Sequence, residues 1–105
     1  MRQVIDGKVY DTDTAEKLHG WYNGFYPSDF KYVEETLFVT RKGCFFRHAE
    51  GGPMSQWRTQ EGNGWGGGEG IEILSKESAI RWLESHDGSD VLTSHPMFSG
   101  AIEEG

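Results

Sequence analysis

Apolar and polar positions are patterned most clearly between Lys31 and Ala49. Lys31 to Thr40 and Cys44 to Ala49 are rich in β-branched and aromatic residues, and the polar Arg41-Lys42-Gly43 between them supplies a glycine for a left-handed turn position. This pattern predicts an antiparallel hairpin. Because side chains along a strand alternate between faces, Val33, Glu35, Leu37 and Val39 share one face, while Tyr32, Glu34, Thr36, Phe38 and Thr40 share the other. In the second strand Cys44, Phe46 and His48 oppose Phe45, Arg47 and Ala49. Both faces carry apolar groups, so both need cover: a helix on one side and loop over part of the other.

The flanking segments fill in the rest. Val4-Ile5 and Val9-Tyr10 bracket Asp6-Gly7, a dipeptide suited to a type I′ turn, and predict a short hairpin over Arg2 to Tyr10. Asp11-Thr12-Asp13-Thr14 offers helix N-caps. The spacing of Ala15, Leu18 and Tyr22 then predicts a short helix from about Asp13 to His19, ended by Gly20. Phe25 to Phe30 reads as an aromatic loop. Residues 50–70 hold eight glycines and little periodicity, and read as a long loop held to the body by Trp57 and Trp65. Ile71 to Leu74 is a final strand. Ser75 caps the clearest helix, Lys76 to about His86, whose Ala79, Trp82, Leu83 and His86 share a face. The fold class is α+β: a small antiparallel sheet of about five strands packed with two helices, with a long Gly-rich loop. Residues 1–88 form a single domain. Residues 89–105 form an acidic tail whose Val91, Leu92, Met97 and Phe98 either dock as a turn of helix or stay mobile.

Composition changes the picture in two ways. Hydrophobic content is only 35%, but six Phe, four Tyr and four Trp compensate, since each ring buries roughly 150–250 Å². The net charge of −7 is also uneven: residues 1–60 are neutral, and after residue 60 only Lys76 and Arg81 stand against nine carboxylates. Such a field repels phosphate backbones and attracts basic surfaces, although solubility alone would explain the same excess. A single cysteine, Cys44, suits a reducing cytosol. Arg2 to Asp13 has no apolar run of the kind a signal peptide needs, and no stretch approaches the roughly 20 apolar residues of a membrane span. The expectation is a cytoplasmic protein.

Residues with chemical potential each have a plain structural reading beside the functional one. The run Gly62 to Gly70 lacks the Lys and Ser or Thr of a phosphate loop, is surrounded by Glu61, Glu69 and Glu72, and leads into a strand. His48 and Glu50 share a strand face, but His19, His86 and His95 are too scattered to complete a metal site, so a half-buried, hydrogen-bonded His48 is expected. Cys44 after a tight turn is a packing residue before it is a nucleophile. Glu34 and Glu35 point to opposite faces, which opposes a hydrolytic pair; the one nearer the core needs a donor such as Arg47 or Tyr32. Lys31, Tyr32, Phe38, Arg41, Lys42, Phe45, Phe46 and Arg47 give the sheet a basic and aromatic content reminiscent of single-strand binders, but no such motif is present and the total charge opposes it. The residues predict no catalysis, no cofactor and no metal.

Several stretches together resemble a family of small proteins carried by phages and mobile elements of gut-type bacteria. They are Ile5 to Ala15 (IDGKVYDTDTA), Tyr32 to Phe38 (YVEETLF), Gly43 to Phe46, Glu50 to Ser55 (EGGPMS), the Gly-rich run into Ile71, and the helix with Ala79 and Trp82. The resemblance covers roughly residues 4–86 and carries over no catalytic residue. Members of this kind include anti-CRISPR proteins, so it implies an inhibitor that binds an RNA-guided nuclease effector inside the bacterial host. Effectors present positively charged grooves for guide and target. On this reading Glu61, Glu69, Glu72, Glu77, Glu84, Asp87 and Asp90 form an acidic, DNA-mimicking face, with Trp57 and Trp65 as aromatic anchors. The partner is a CRISPR effector, with no direct nucleic-acid or membrane contact, and the inhibitor itself is a monomer or a homodimer. The alternative is a phage-encoded interaction module with a different host or phage partner.

Overall fold

The structure, a computed structural model, describes residues 1–26, 28–52, 59–61, 64–66 and 68–103, with 59–61 and 64–66 described by their backbone. The chain opens with β1 (Arg2–Ile5) and β2 (Lys8–Asp11), paired antiparallel with Ile5 opposite Lys8. Asp6 and Gly7 between them both have positive φ, 50° and 76°, as a type I′ turn requires.

The expected helix over Asp13–His19 is instead a strand, β3 (Glu16–Tyr22). The capping candidates are used differently. Asp11 Oδ1 accepts from the Asp13 amide at 2.9 Å, and the Asp11 carbonyl accepts from the amides of Thr14 and Ala15. This Asx turn redirects the chain at the point where a helix would have started. β3 pairs with β4 (Val33–Val39), β4 with β5 (Phe45–Gly51), and β5 with β8 (Gly68–Leu74), giving one four-stranded antiparallel sheet in the order β3-β4-β5-β8. Thr40 to Cys44 closes the central hairpin, with Gly43 at φ 84°. Part of the long expected loop is regular: β5 runs on to Gly51, β8 starts at Gly68, and β6 (Thr59–Glu61) pairs with β7 (Gly64–Gly66). The fold is α+β as expected, with the two strands of the first hairpin forming a sheet of their own rather than joining one sheet of about five strands.

α1 (Lys76–Ser85) starts where the sequence places it. The Ser75 hydroxyl accepts from the Ser78 amide at 3.1 Å. Its end is a Schellman turn: Asp87 takes the left-handed position at φ 62°, and the Gly88 amide donates to the Leu83 carbonyl at 2.7 Å. Residue 88 must be small, because a Cβ there would lie 2.5 Å from Leu83 Cδ2. The turn leads straight into α2 (Ser89–Ser94) and a 3₁₀ turn at Pro96–Phe98. Leu92 and Phe98 from this segment enter the core.

The core has two parts, one on each sheet face. Leu37, Val39 and Phe45 pack under Ala79, Trp82, Leu83, Leu92 and Phe98 on the helical side. On the outer side Phe38 and Phe46 stack 5.2 Å apart beneath Tyr10 of the first hairpin. Each buried ring or branched aliphatic contributes roughly 1.5–3 kcal/mol, so the first hairpin is part of the folded unit. Among the described residues, cover on this face comes from that hairpin, and the central part of the Gly-rich loop lies outside the described residues.

Candidate protein-binding face

The first hairpin covers only one end of the outer face. Strand register sets what lies at the other end. Tyr22 is opposite Glu34, Glu34 opposite Glu50, and Glu50 opposite Glu69. Three carboxylates therefore stand side by side on neighbouring strands, about 4.8 Å apart from strand to strand. Like charges directly opposite one another are destabilising, and two of the three are offset by a neighbour. The hydroxyl of Tyr32 donates to Glu34, and His48 Nε2 lies 2.8 Å from Glu69 Oε2. Glu50 is exposed and has no hydrogen-bond or ion-pair partner among the described residues. Tyr32 registers this local field. Burial first, then its hydrogen bond to Glu34, then the charges of Glu34 and Glu50 hold its phenol far above the usual tyrosine range.

Aromatic side chains flank the carboxylates at the β3 side. Tyr22, Phe25, Tyr26 and Phe30 are all exposed, Tyr26 by 81%. With Lys17, Trp21 and Glu34 the first three of them line a groove of about 540 Å³. The loop that carries them is held by its backbone. Asn23 Nδ2 donates to the Lys31 carbonyl at 2.7 Å, while Asn23 Oδ1 accepts from the Val33 amide at 3.2 Å. Asp29 Oδ1 accepts from the Lys31 amide at 2.8 Å. From below, the Gly52 amide donates to the Tyr32 carbonyl at 2.8 Å.

The opposite face carries a charged cluster with a structural role. Glu35, 5% exposed, accepts from Arg47 Nη1 at 2.6 Å and from Trp82 Nε1 at 3.1 Å. Arg47 Nη2 reaches Glu72 at 2.7 Å. The His86 ring stacks on Trp82 and meets the Trp21 ring edge-on, and His19 Nε2 donates to the His86 carbonyl at 2.7 Å. These bonds tie α1 to the sheet and satisfy a carboxylate that burial would otherwise penalise.

The acidic residues expected to form one face are divided. Glu69 stands on the outer face. Glu72, three positions along the same strand, is on the helical side and is engaged by Arg47. Glu77 and Glu84 are exposed on α1, Asp87 in the turn after it, and Asp90 in the first turn of α2. Glu61 and Trp65 lie on β6 and β7 with their side chains outside the described residues, and Trp57 lies outside them altogether. Glu34, Glu50 and the aromatic groove are the residues that composition missed. A turn centred on Lys42 already places Glu34 opposite Glu50, so two of the three members of the row were readable from the central hairpin.

The other candidates resolve more simply. Phe38 and Phe46 lie beneath the first hairpin and offer no stacking platform for bases, and Arg47 points to the other face. His48 bonds Glu69 rather than acting with Glu50. Cys44 is four residues along the strand from His48, about 13 Å. Among the described residues no three His, Cys, Asp or Glu side chains come together as metal ligands, and no helix is long and apolar enough to cross a membrane. Compared with protein-family models, curated proteins and solved structures, the chain matches none significantly.

Proposed function

We propose that this chain is a protein-interaction module that docks a basic surface of its partner through the open end of the outer sheet face. One observation carries the reading: the cross-strand row Glu34–Glu50–Glu69, in which Glu50 has no hydrogen-bond or ion-pair partner among the described residues, beside exposed aromatic rings. A row of carboxylates on rigid strands loses little entropy on binding cations, and adjacent rings favour Arg and Lys through cation–π contact. Surfaces that bind phosphate backbones present such cations in rows. The family resemblance suggests a finer identity, an anti-CRISPR protein that occupies the nucleic-acid groove of an RNA-guided effector and blocks target DNA binding or cleavage. The second reading, a phage-encoded module for another host or phage partner, is favoured by the aromatic groove, whose rings and Glu34 suit a basic segment.

The experiment is capture of the tagged protein's partner from bacterial lysates with and without defined CRISPR effectors, repeated with the triple variant Glu34→Lys, Glu50→Lys, Glu69→Lys. The expected result is salt-sensitive capture that falls by at least about tenfold in a variant with unchanged circular dichroism. Capture by the triple variant at wild-type strength would exclude this face. Capture of a basic partner other than an effector would keep the face and replace the anti-CRISPR identity with the second reading.

A further inference from the structure

The far end of the same sheet face carries the opposite charge. Six residues of extended chain separate Glu50 from Cys44, about 20 Å. There the first hairpin and the β4–β5 turn enclose a cleft of about 490 Å³. Three cations line it, Lys8 from β2 and Arg41 and Lys42 from the turn, against one carboxylate, Asp11. That carboxylate already accepts from the Asp13 amide. None of the three cations forms an ion pair among the described residues. In a chain with net charge −7, carboxylates are abundant, yet these cations line one concavity with no ion-pair partner among the described residues. A bound anion would be attracted by all three.

The shape narrows the class of anion. The volume lies in the range of small-molecule sites, roughly 300–1,000 Å³, and far exceeds what a bare inorganic ion fills. Tyr10, Ala15 and Cys44 give the cleft an apolar component, and Thr14 and Thr40 line it as well. Arg41 offers a planar fork for two oxygens of one group, and Lys8 and Lys42 offer point charges.

We propose that this cleft binds a small organic phosphate, with Lys8, Arg41 and Lys42 holding its phosphate groups and the Tyr10–Ala15–Cys44 surface supporting its organic body. The site is separate from the carboxylate row and does not rest on the interaction reading above.

The sole cysteine lines the cleft, so its alkylation by an uncharged maleimide reports occupancy. The rate is measured with ADP, with inorganic pyrophosphate and with adenosine, in the wild type and in the variant Arg41→Glu, Lys42→Glu. ADP is expected to slow alkylation severalfold, pyrophosphate less, and adenosine not at all, and the ratio of rates with and without ADP is expected to return to one in the variant. Should the thiol react too slowly to follow, the thermal midpoint carries the same comparison: a rise with ADP in the wild type and none in the variant. Absence of any ADP effect, an equal effect in the variant, or an equal effect of adenosine would overturn the proposal. Protection by a single-stranded oligonucleotide stronger than that by ADP would overturn it in favour of a nucleic-acid site.

Discussion

Glu34 and Glu35 are neighbours in sequence with opposite roles. Glu35 points under α1 and is held by Arg47 and Trp82. Glu34 points outward, receives the Tyr32 hydroxyl and joins the carboxylate row. Removing the first takes an acceptor away from two buried donors. Glu35→Ala is therefore expected to cost about 3 kcal/mol of stability in denaturant unfolding, whereas Glu34→Ala costs about 1 kcal/mol or less. Strand parity made the split legible in advance, and Arg47 and Tyr32 were identifiable as donors from the sequence. The Trp82 indole was not, because its position depends on how α1 crosses the sheet, and no local pattern encodes that.

At the scale of elements, the strongest local signals held: the Asp6-Gly7 hairpin, the central hairpin, and the helix capped by Ser75. β3 is where reading by periodicity failed, and its geometry explains why. Lys17 pairs with Phe38 and His19 with Leu37, so Leu18 is an extra residue in the strand. The bulge lets Leu18 pack on the helical-side core while His19 and Trp21 lie on the same side. Inward positions 18, 19 and 21 break the alternation of a strand, and Ala15, Leu18 and Tyr22 imitate a helix. The final strand expected at Ile71 to Leu74 is there, but the glycine-rich stretch hid its start, Gly68 to Gly70, for a different reason: residues without side chains leave no alternation to read. One glycine there has a steric duty. A Cβ on Gly52 would lie 2.7 Å from the carbonyl oxygens of Asp29 and Phe30, so Gly52→Ala must push the aromatic loop off the end of β5. The expected cost is about 1–3 kcal/mol, with amide shift changes concentrated in residues 25–32 and weakened partner capture. Unchanged shifts in that loop would contradict the close approach.

Over the whole molecule, the net charge was legible from composition but its placement was not. Glu34 and Glu50 belong to the electrically neutral half of the sequence, and only strand pairing brings them beside Glu69. The outer face is consequently polarised along its strands, with carboxylates at one end and the Lys8, Arg41 and Lys42 cleft at the other. The sheet also has two outer strands, β3 and β8. β8 carries a carboxylate on each face, Glu69 and Glu72, a device that discourages edge pairing. Sedimentation is accordingly expected to show a monomer even in concentrated solution, and a dimer abolished by charge changes on β8 would contradict this. The bulge at Leu18 then takes on a further meaning. A flat, regular β3 next to Tyr22, Phe25, Tyr26 and Phe30 would be a self-copying template with adhesive rings along its rim. By breaking the repeat within that strand, one extra residue lets four aromatic rings stand in water beside an edge that does not copy itself.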